Sequence, residues 1–304
     1  MKYNNVLGTK YPIIQGAMAW ISDSTLAAAV SEAGGLGVLS SINYTKEELR
    51  AEINKVRKQT DKPFAVNIML RSPQVDDLAL VVAQEKVPIV TTGAGSPAKY
   101  MSMWIENGIK VIPVIASCSM AKRVEAQGAS AVIAEGCEAG GHIGDLTTMA
   151  LVPQVVDAVN IPVIAAGGIA DARGVLAAFA LGAVGVQVGT AFLVAKECLV
   201  SEEYKNKVIS AADIGTTVIK KAFSHPVRAL KTPFIKELVV LEETLTSDEL
   251  RPYILSSLKN AVSGEDERAT FMAGQIAGLV KKEDSAENII KTIFEEVEIL
   301  KQKL

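Results

Sequence analysis

The sequence predicts an α/β protein, a (β/α)8 TIM barrel with a C-terminal helical extension or lid. Eight short apolar runs recur within about 190 residues, the number and length that such a barrel needs. Helical patterns separate the runs, and most runs are nearly continuous in Val, Ile, Leu and Ala, as strands covered by helices are. A doubly wound sheet is the alternative, but the Gly-x-Gly-x-x-Gly turn after its first strand is missing. The predicted strands span residues 12–15, 36–40, 64–70, 87–92, 110–116, 131–135, 162–166 and 185–189.

Between these strands, glycines lie where helix C-caps are expected, because glycine accepts a left-handed backbone. Gly34, Gly35 and Gly128 are in such places. The clearest predicted helices span residues 24–32, 46–58, 120–127 and 172–181.

The pattern changes after about residue 192. Residues 197–267 are richer in charge and lack buried-strand runs, so we predict an inserted helical lid or substrate subdomain there. Residues 1–196 and 268–304 are assigned to the barrel and its C-terminal helices. The run of small residues within 269–280 predicts a closely packed helix there. The last helix has one apolar face that could cover its own barrel or a partner subunit. That face carries Ile289, Ile290, Ile293, Phe294, Val297 and Leu300.

Composition excludes several classes of protein. The 304 residues are 49% hydrophobic with a formal charge of −3, which gives no support for nucleic-acid binding. The chain lacks an apolar signal-peptide core near its start and any apolar run of about 18 residues, so we expect a cytoplasmic protein with no membrane span. Its three cysteines are irregularly spaced, which fits neither a disulfide framework nor a metal site. Cys137 could be a nucleophile, although free cysteines are more often small buried hydrophobes.

One of the chain's two histidines lies in a glycine-rich loop after the sixth strand. This strand ends in Glu135, and His142 follows among Gly136, Gly140, Gly141 and Gly144. Glycine lets the backbone approach a ligand closely, and histidine can gain or lose a proton near neutral pH. We therefore predict His142 as the catalytic acid–base residue, the alternative being a structural role in its loop.

The loops after strands seven and eight have the residues of a phosphate site, which commonly forms there in such barrels. Strand seven ends in Gly167 and Gly168, and strand eight ends in residues 187–190. Backbone N–H groups and the Thr190 hydroxyl could hold a phosphate without a lysine.

Other strand ends supply the remaining walls of a pocket. Ala17 and Met18 follow strand one, Asn67 is a polar amide within strand three, and Thr92 ends strand four. A buried amide needs partners, so Asn67 should face a ligand or a neighbouring loop. Together with Glu135, these residues suit a planar heterocycle with a phosphate tail, and flavin mononucleotide (FMN) fits best.

The sequence resembles the flavin-dependent enoyl-acyl carrier protein reductases of type II, close relatives of the nitronate monooxygenases. The resemblance runs over nearly the whole chain, from the Tyr-Pro-Ile-Ile-Gln-Gly-Ala-Met-Ala-Trp stretch at 11–20 to Met-Ala-Gly-Gln-Ile-Ala-Gly at 272–278. Two residues depart from the pattern usual in that family. Ala17 stands where the family usually has glycine, and Ala191 stands where it usually has arginine. Further matching stretches are residues 31–37, 61–69, 91–95, 139–142 and 164–169.

The resemblance implies bound FMN, NADH or NADPH as co-substrate, and His142 beside the flavin. The implied reaction is reduction of trans-2-enoyl thioesters in fatty acid synthesis. The alternatives are a nitronate monooxygenase, which oxidises alkyl nitronates with O2, and a quinone-type flavin reductase. The residues expected to bind the cofactor are Ala17, Met18, Asn67, Thr92, Glu135, Gly140, Gly141, Gly167, Gly168, Gln187, Val188, Gly189, Thr190, Met272 and Gln275.

A cluster of basic residues suggests a macromolecular partner. No acidic residue occurs between Ile214 and Lys236, in a chain that is acidic overall. Such a cluster could steer an acidic acyl carrier protein, or it could be ordinary solvated surface. We also expect a homodimer. The basic residues are Lys220, Lys221, Arg228, Lys231 and Lys236, with His225 among them.

Overall fold

The computed structural model describes residues 6–219, 226–254, 256–264 and 268–303. In chain order the strands are β1 (Ile13–Gln15), β2 (Gly37–Ser40), β3 (Phe64–Met69), β4 (Ile89–Gly93), β5 (Lys110–Ile115), β6 (Val132–Glu135), β7 (Gly141–His142), β8 (Val163–Ala166), β9 (Gly185–Val188), β10 (Thr216–Ile219) and β11 (Val227–Leu230). The α-helices are α1 (Ser24–Glu32), α2 (Lys46–Gln59), α3 (Val75–Gln84), α4 (Ala98–Glu106), α5 (Cys118–Ala126), α6 (Thr148–Ala158), α7 (Ala172–Ala180), α8 (Glu202–Ile209), α9 (Pro233–Leu241), α10 (Ser247–Ile254), α11 (Ser257–Ser263) and α12 (Ala286–Lys301).

Within the described ranges, eight parallel strands alternate with helices and form a nearly closed barrel. The strand order is β1-β9-β8-β6-β5-β4-β3-β2, and the seam lies between β1 and β2. Ile14 and Leu36 face each other across this seam, where the Gln15 N–H donates to the Leu36 carbonyl at 3.0 Å. The predicted TIM barrel and all eight predicted strands are therefore confirmed.

Apolar side chains fill the barrel interior and close one end of it. Lys110 Nζ donates to the carbonyl of Val6 at 2.7 Å, which holds the first described residues across the amino-terminal end of the strands. The opposite end, called the mouth here, is where polar side chains replace the apolar ones. The buried interior cluster is Leu7, Ile14, Leu36, Val38, Ala65, Ile89, Ile112, Ala131, Ile133, Ile164 and Ala166.

The helices agree closely with the sequence prediction. Helix α1 has the predicted bounds, and Gly34 and Gly128 have φ of +90° and +93°, as left-handed C-cap positions require. Helix α5 begins two residues before the predicted start because Ser117 is its N-cap and accepts from Met120 N at 3.3 Å.

The prediction of an all-helical segment at 197–267 is wrong in one respect. Helices α8 to α11 lie there, but so do β10 and β11, which pair antiparallel, and β11 also pairs with β7. In the described part of the chain these three strands form a separate small sheet above the barrel. Each strand has four residues or fewer, so no long alternating pattern marks them in the sequence.

The predicted helix over 269–280 is also wrong. Met272 forms an antiparallel bridge with Ala229, and only Gln275–Leu279 is helical, as a short 3₁₀ segment. The Leu230 N–H donates to the Phe271 carbonyl at 2.8 Å, so sheet-like pairing with β11 takes the place of an α-helix here. We call residues 136–144, β10, β11 and residues 268–280 together the mouth layer.

The apolar face of α12 packs on its own barrel. Ile290, Ile293 and Val297 are buried against the barrel's helices, and Phe294 stacks on Tyr11 with ring centroids 4.9 Å apart. Of the two surfaces that this face was expected to cover, its own barrel or a partner subunit, it covers its own barrel. Among the described residues, no helix has both the length and the apolar character needed to cross a membrane.

Candidate functional site

Three polar side chains point into the mouth from the barrel wall. Side chains alternate along a strand, and Asn67 and Glu135 lie two residues beyond the interior residues Ala65 and Ile133. Gln187 pairs with the interior residue Ala166 and is also nearly buried, at 9% exposure. The predicted site residues Asn67, Glu135 and Gln187 therefore converge on one end of the barrel.

Asn67 has a partner that the sequence analysis did not name. Its Nδ2 donates to the hydroxyl of Thr91 at 3.0 Å, and Thr91 has the inward position on β4. The predicted residue, Thr92, lies on the opposite face of the strand, and its buried hydroxyl has no hydrogen-bond partner among the described residues. Only the backbone of Thr92 could therefore reach a ligand in the mouth.

Glu135 is the ionisable group of this wall. Burial raises the pKa of its carboxyl to about 7, and within the described ranges no hydrogen bond to that carboxyl exists. An unpartnered carboxyl in a poorly solvated position is costly unless a ligand or a proton satisfies it. This is an independent structural sign that a polar ligand belongs in the mouth.

The loop after β1 is fixed beneath the mouth by a buried glutamine. Gln15 Nε2 donates to the hydroxyl of Ser22 at 2.8 Å, and that hydroxyl accepts from the Met18 N–H at 2.9 Å. The Gly16 N–H donates to the Val188 carbonyl at 2.8 Å, which ties the loop to β9. Met18 consequently lies beside Gly189, where a Cβ would be 3.9 Å from the methionine sulfur.

The predicted phosphate turns have the expected backbone. Gly167 and Gly168 have φ of +91° and +70°, and a Cβ on Gly167 would lie 2.7 Å from the carbonyl oxygen of Gly136. The hydroxyl of Thr190 accepts from the Gly274 N–H at 3.0 Å and keeps its own proton for donation. These glycines and the Thr190 hydroxyl suit a phosphate at the mouth.

The mouth layer is joined to these turns by close backbone contacts. A Cβ on Gly140 would lie 2.6 Å from the carbonyl carbon of Ala273, and the Gln275 N–H donates to the Glu138 carbonyl at 2.9 Å. Met272 lies against Gly141, where a Cβ would be 3.6 Å from its sulfur. Gly140, Gly141, Met272 and Gln275 are thus brought together, and their binding of a cofactor remains a prediction.

His142 lies on the edge strand of the small sheet. Its backbone pairs with Val227, Gly141 pairs with Arg228, and the Ile143 N–H donates to the Pro226 carbonyl at 3.1 Å. The residue is exposed, on the loop that directly follows β6 and Glu135. Solvent and substrate can therefore reach it.

One expectation about a neighbouring residue needs correction. Arg228 was placed in a basic surface cluster, but it is buried, at 7% exposure, and its guanidinium donates to the Cys137 carbonyl. Of that cluster, Lys231 and Lys236 are exposed, whereas Lys220, Lys221 and His225 lie outside the described residues.

Cys137 has the wrong environment for a thiolate nucleophile. Burial raises the pKa of its thiol, and the negative charge of nearby Glu138 adds to this increase. Among the described residues, no cluster of three or more His, Cys, Asp or Glu side chains is placed to hold a metal ion.

Glu138 in the same loop is a further residue at this site, and it was not predicted from the sequence. Its carboxylate accepts from the Thr148 N–H at 3.0 and 2.9 Å, so it caps the start of α6. A Cβ on Gly168 would lie 3.3 Å from the Glu138 Cβ, which places this side chain against the phosphate turn. Glu138 lies ten residues before Thr148, which is not a capping spacing, so no local pattern in the sequence marks it.

Comparison with solved structures gives close matches over nearly the whole chain. The structure of FabK from Thermotoga maritima is 49% identical, with a TM-score of 0.95, and covers 98% of this chain and 96% of its own. A nitroalkane oxidase from Streptomyces ansochromogenes is 27% identical, with a TM-score of 0.88, and covers 98% of this chain and 99% of its own.

Curated relatives carry two kinds of name. A probable nitronate monooxygenase of Staphylococcus saprophyticus is 31% identical over 95% of this chain and 96% of that protein. The (3aS,4S,5R,7aS)-5-hydroxy-7a-methyl-1-oxo-octahydro-1H-indene-4-carboxyl-CoA dehydrogenase of Rhodococcus jostii is 38% identical over 77% of this chain. The match spans 66% of that dehydrogenase, just under two thirds of its length.

The family model described as nitronate monooxygenase matches residues 2–296. FabK, an enoyl-acyl carrier protein reductase II, and the nitronate monooxygenases are flavin enzymes. The chain therefore belongs to the nitronate monooxygenase family of flavin-dependent oxidoreductases.

Proposed function

We propose that this chain is an FMN-dependent enoyl-acyl carrier protein reductase that uses NADH or NADPH to reduce trans-2-enoyl thioesters. The likeness to FabK, 49% identical with a TM-score of 0.95 over 98% of the chain, carries the proposal. A second observation supports the substrate class. The relative from Rhodococcus jostii has a name that describes a carboxyl-CoA compound, which is a thioester.

The residues at the mouth fit FMN. The Gly167–Gly168 turn and the Thr190 hydroxyl would bind the phosphate, and Asn67 and Gln187 would bind the polar part of the ring and ribityl chain. Glu135 would bind there too, and a ligand hydroxyl or N–H would satisfy the carboxyl whose pKa burial raises to about 7. When bound, FMN supplies the hydride-transfer chemistry that no side chain of the protein can supply.

His142 would act on the substrate rather than on the cofactor. Its imidazole is exposed on the mouth layer, where it could hydrogen-bond the thioester carbonyl oxygen and so polarise the conjugated double bond. It could alternatively deliver the proton that the α-carbon needs after hydride addition at C3. Either role of a positioned acid–base group is typically worth about 10²–10⁴-fold in rate.

Nitronate oxidation is the second candidate, and the family model and the 31% identical staphylococcal relative favour it. In that reaction His142 would orient or deprotonate the nitroalkane. The two candidates differ in what they require, because a nitronate monooxygenase needs O2 and no nicotinamide nucleotide.

Anaerobic rapid mixing separates the candidates. We expect NADH or NADPH to bleach the yellow absorbance of the FMN-loaded protein, and crotonyl thioester to restore it without oxygen. Bleaching by an alkyl nitronate but not by either nicotinamide nucleotide would contradict the proposal and favour the monooxygenase. Bleaching by the nucleotide with reoxidation only by a quinone would indicate a flavin reductase.

A further inference from the structure

Arg228 is a buried cation that forms no salt bridge with any of the described residues. Its side chain is 7% exposed, and the nearby Glu138 carboxylate, which favours the charged guanidinium, accepts its hydrogen bonds from Thr148 instead. Buried arginines are normally paired with a carboxylate or phosphate, since burial of an unpaired charge is costly. Arg228 therefore calls for an explanation other than an ion pair.

Two hydrogen bonds of this guanidinium hold one loop in place, and a third ties it to β10. Nε and Nη2 both donate to the Cys137 carbonyl, at 3.1 and 3.0 Å, and Nη1 donates to the Thr216 hydroxyl at 3.3 Å. Cys137 lies 91 residues earlier in the chain, at the start of the loop that leads to His142. A guanidinium can make these bonds because its donors form a planar fork that a lysine lacks.

The backbone of the same residue holds the other end of that loop. Strand β11 pairs Arg228 with Gly141 and Val227 with His142. Gly140 lies between the two attachments, and Gly141, which forms the second, has φ of +77°. Glycines leave a loop free to rearrange, so fixing both of its ends to one residue restricts the position of the imidazole that follows.

We propose that Arg228 is a positioning residue for catalysis, which acts through the backbone of residues 137–142 to hold the His142 imidazole over the mouth. This inference rests on the proposed function for the identity of the substrate, since His142 must have a catalytic step to perform. The guanidinium itself bonds to the Cys137 carbonyl and the Thr216 hydroxyl, so it would act on the reaction only through the loop.

A double-mutant cycle tests the proposal. Arg228→Met should slow reoxidation of the reduced holoenzyme by crotonyl thioester about 10²-fold, as loss of alignment at a reacting group does. The rate of bleaching by NADH or NADPH and the FMN content should stay at the wild-type level. In the His142→Ala background, Arg228→Met should cause no further loss, because both changes remove the same contribution. Arg228→Lys should give an intermediate rate.

A matched control and a second readout separate positioning from a general structural role. Arg57 on the outer helix α2 also donates to a backbone carbonyl, that of Glu85 at the C-cap of α3, so Arg57→Met should leave both half-reactions unchanged. Hydrogen exchange of the holoenzyme followed by mass spectrometry should show faster exchange in a peptide covering 137–143 for Arg228→Met and a smaller change for Arg228→Lys. The control should not alter that peptide.

The proposal would be overturned if the rate losses of the two single variants multiply in the double variant. Equal slowing of both half-reactions by Arg228→Met would overturn it too. If Arg228→Met does not fold, the cycle is run with Arg228→Lys, and a Lys variant with wild-type rates and exchange would overturn it as well. If the wild-type protein reduces no thioester, the proposed function fails, and the cycle is run with the nitronate that it oxidises. Non-additive losses there would still support the role of Arg228.

Discussion

The barrel wall and the mouth layer are built by different rules. In the wall, most strands pair with neighbours that follow closely in the chain, for example β3 with β2 and β4, and β1 with β9 is the exception. Each apolar run predicts its own strand. The mouth layer is held by distant residues, such as Arg228 with Cys137, 91 residues apart, and Gly274 with Thr190, 84 apart. The wall thus provides stability, while the mouth layer fixes the chemistry, and changes in the two regions should have separable effects.

The largest expected effect is on chemistry alone. His142→Ala should slow thioester-dependent reoxidation about 10²–10⁴-fold, because it removes the acid–base group of the mouth layer. The flavin absorbance and the thermal unfolding temperature should remain close to the wild type, since the exposed side chain contributes little to the wall. Stopped-flow absorbance measures the rate. An unchanged rate would remove His142 from the mechanism.

Glu135 should make the stability of the barrel wall depend on pH. Folding raises the pKa of this carboxyl from 4.5 to about 7, so the folded protein binds more protons than the unfolded chain between these values. The free energy of unfolding should therefore fall as pH rises from about 4.5 to 7, by at most about 3 kcal/mol. Urea unfolding of flavin-free protein measures it.

Glu135→Gln is the control for that prediction, because the amide keeps the shape and cannot ionise. The difference in the free energy of unfolding between the wild type and the variant should change across this pH range and level off above it. A constant difference would show that the Glu135 pKa is not raised by folding.

Thr190 connects the wall to the mouth layer, so its hydroxyl should matter for the cofactor. Thr190→Val removes both the acceptor for the Gly274 N–H and the donor available to a phosphate. We expect FMN affinity to fall by about 1–3 kcal/mol. Fluorescence titration of the flavin-free protein measures the Kd. Thr190→Ser keeps the hydroxyl and should bind like the wild type, and equal affinity of the Val variant would exclude Thr190 from the phosphate site.

Substitutions at two glycines allow the packing of the mouth layer and of the barrel wall to be compared directly. A Cβ on Gly140 would press on the backbone of Ala273, whereas a Cβ on Gly93, at the end of β4, would meet nothing within 4 Å. Gly140→Ala should lower the free energy of unfolding by about 1–3 kcal/mol. Gly93→Ala should change it by no more than about 0.5 kcal/mol. Similar losses in both variants would contradict the close packing of the mouth layer.

The smallest expected effect concerns the surface. Lys231→Glu combined with Lys236→Glu should raise the KM for an acyl-carrier-protein thioester a few-fold at low salt, and the difference should disappear at high salt. The KM for a short crotonyl thioester should not change. A salt-independent effect, or none, would mean that these two lysines are ordinary solvated surface.

The difference between the wall and the mouth layer also explains which elements could be predicted from the sequence. The eight barrel strands and α1 were predictable because local apolar runs and caps specify them. The strand β11 was not, because it has only four residues. The burial of Arg228 was not, because its side chain bonds to a loop 91 residues earlier and the charge run around it suggested a surface. By contrast, alternation from Ile89 along β4 could have selected Thr91 over Thr92 as the inward residue.

The central claim is that the mouth binds FMN between the wall and the mouth layer. The most direct test is a crystal structure of the protein loaded with FMN. The account predicts the phosphate within hydrogen-bond distance of the Gly168 turn and the Thr190 hydroxyl, with the reactive edge of the ring facing His142. A protein that remains colourless with added FMN, or density for the ring away from His142, would contradict it.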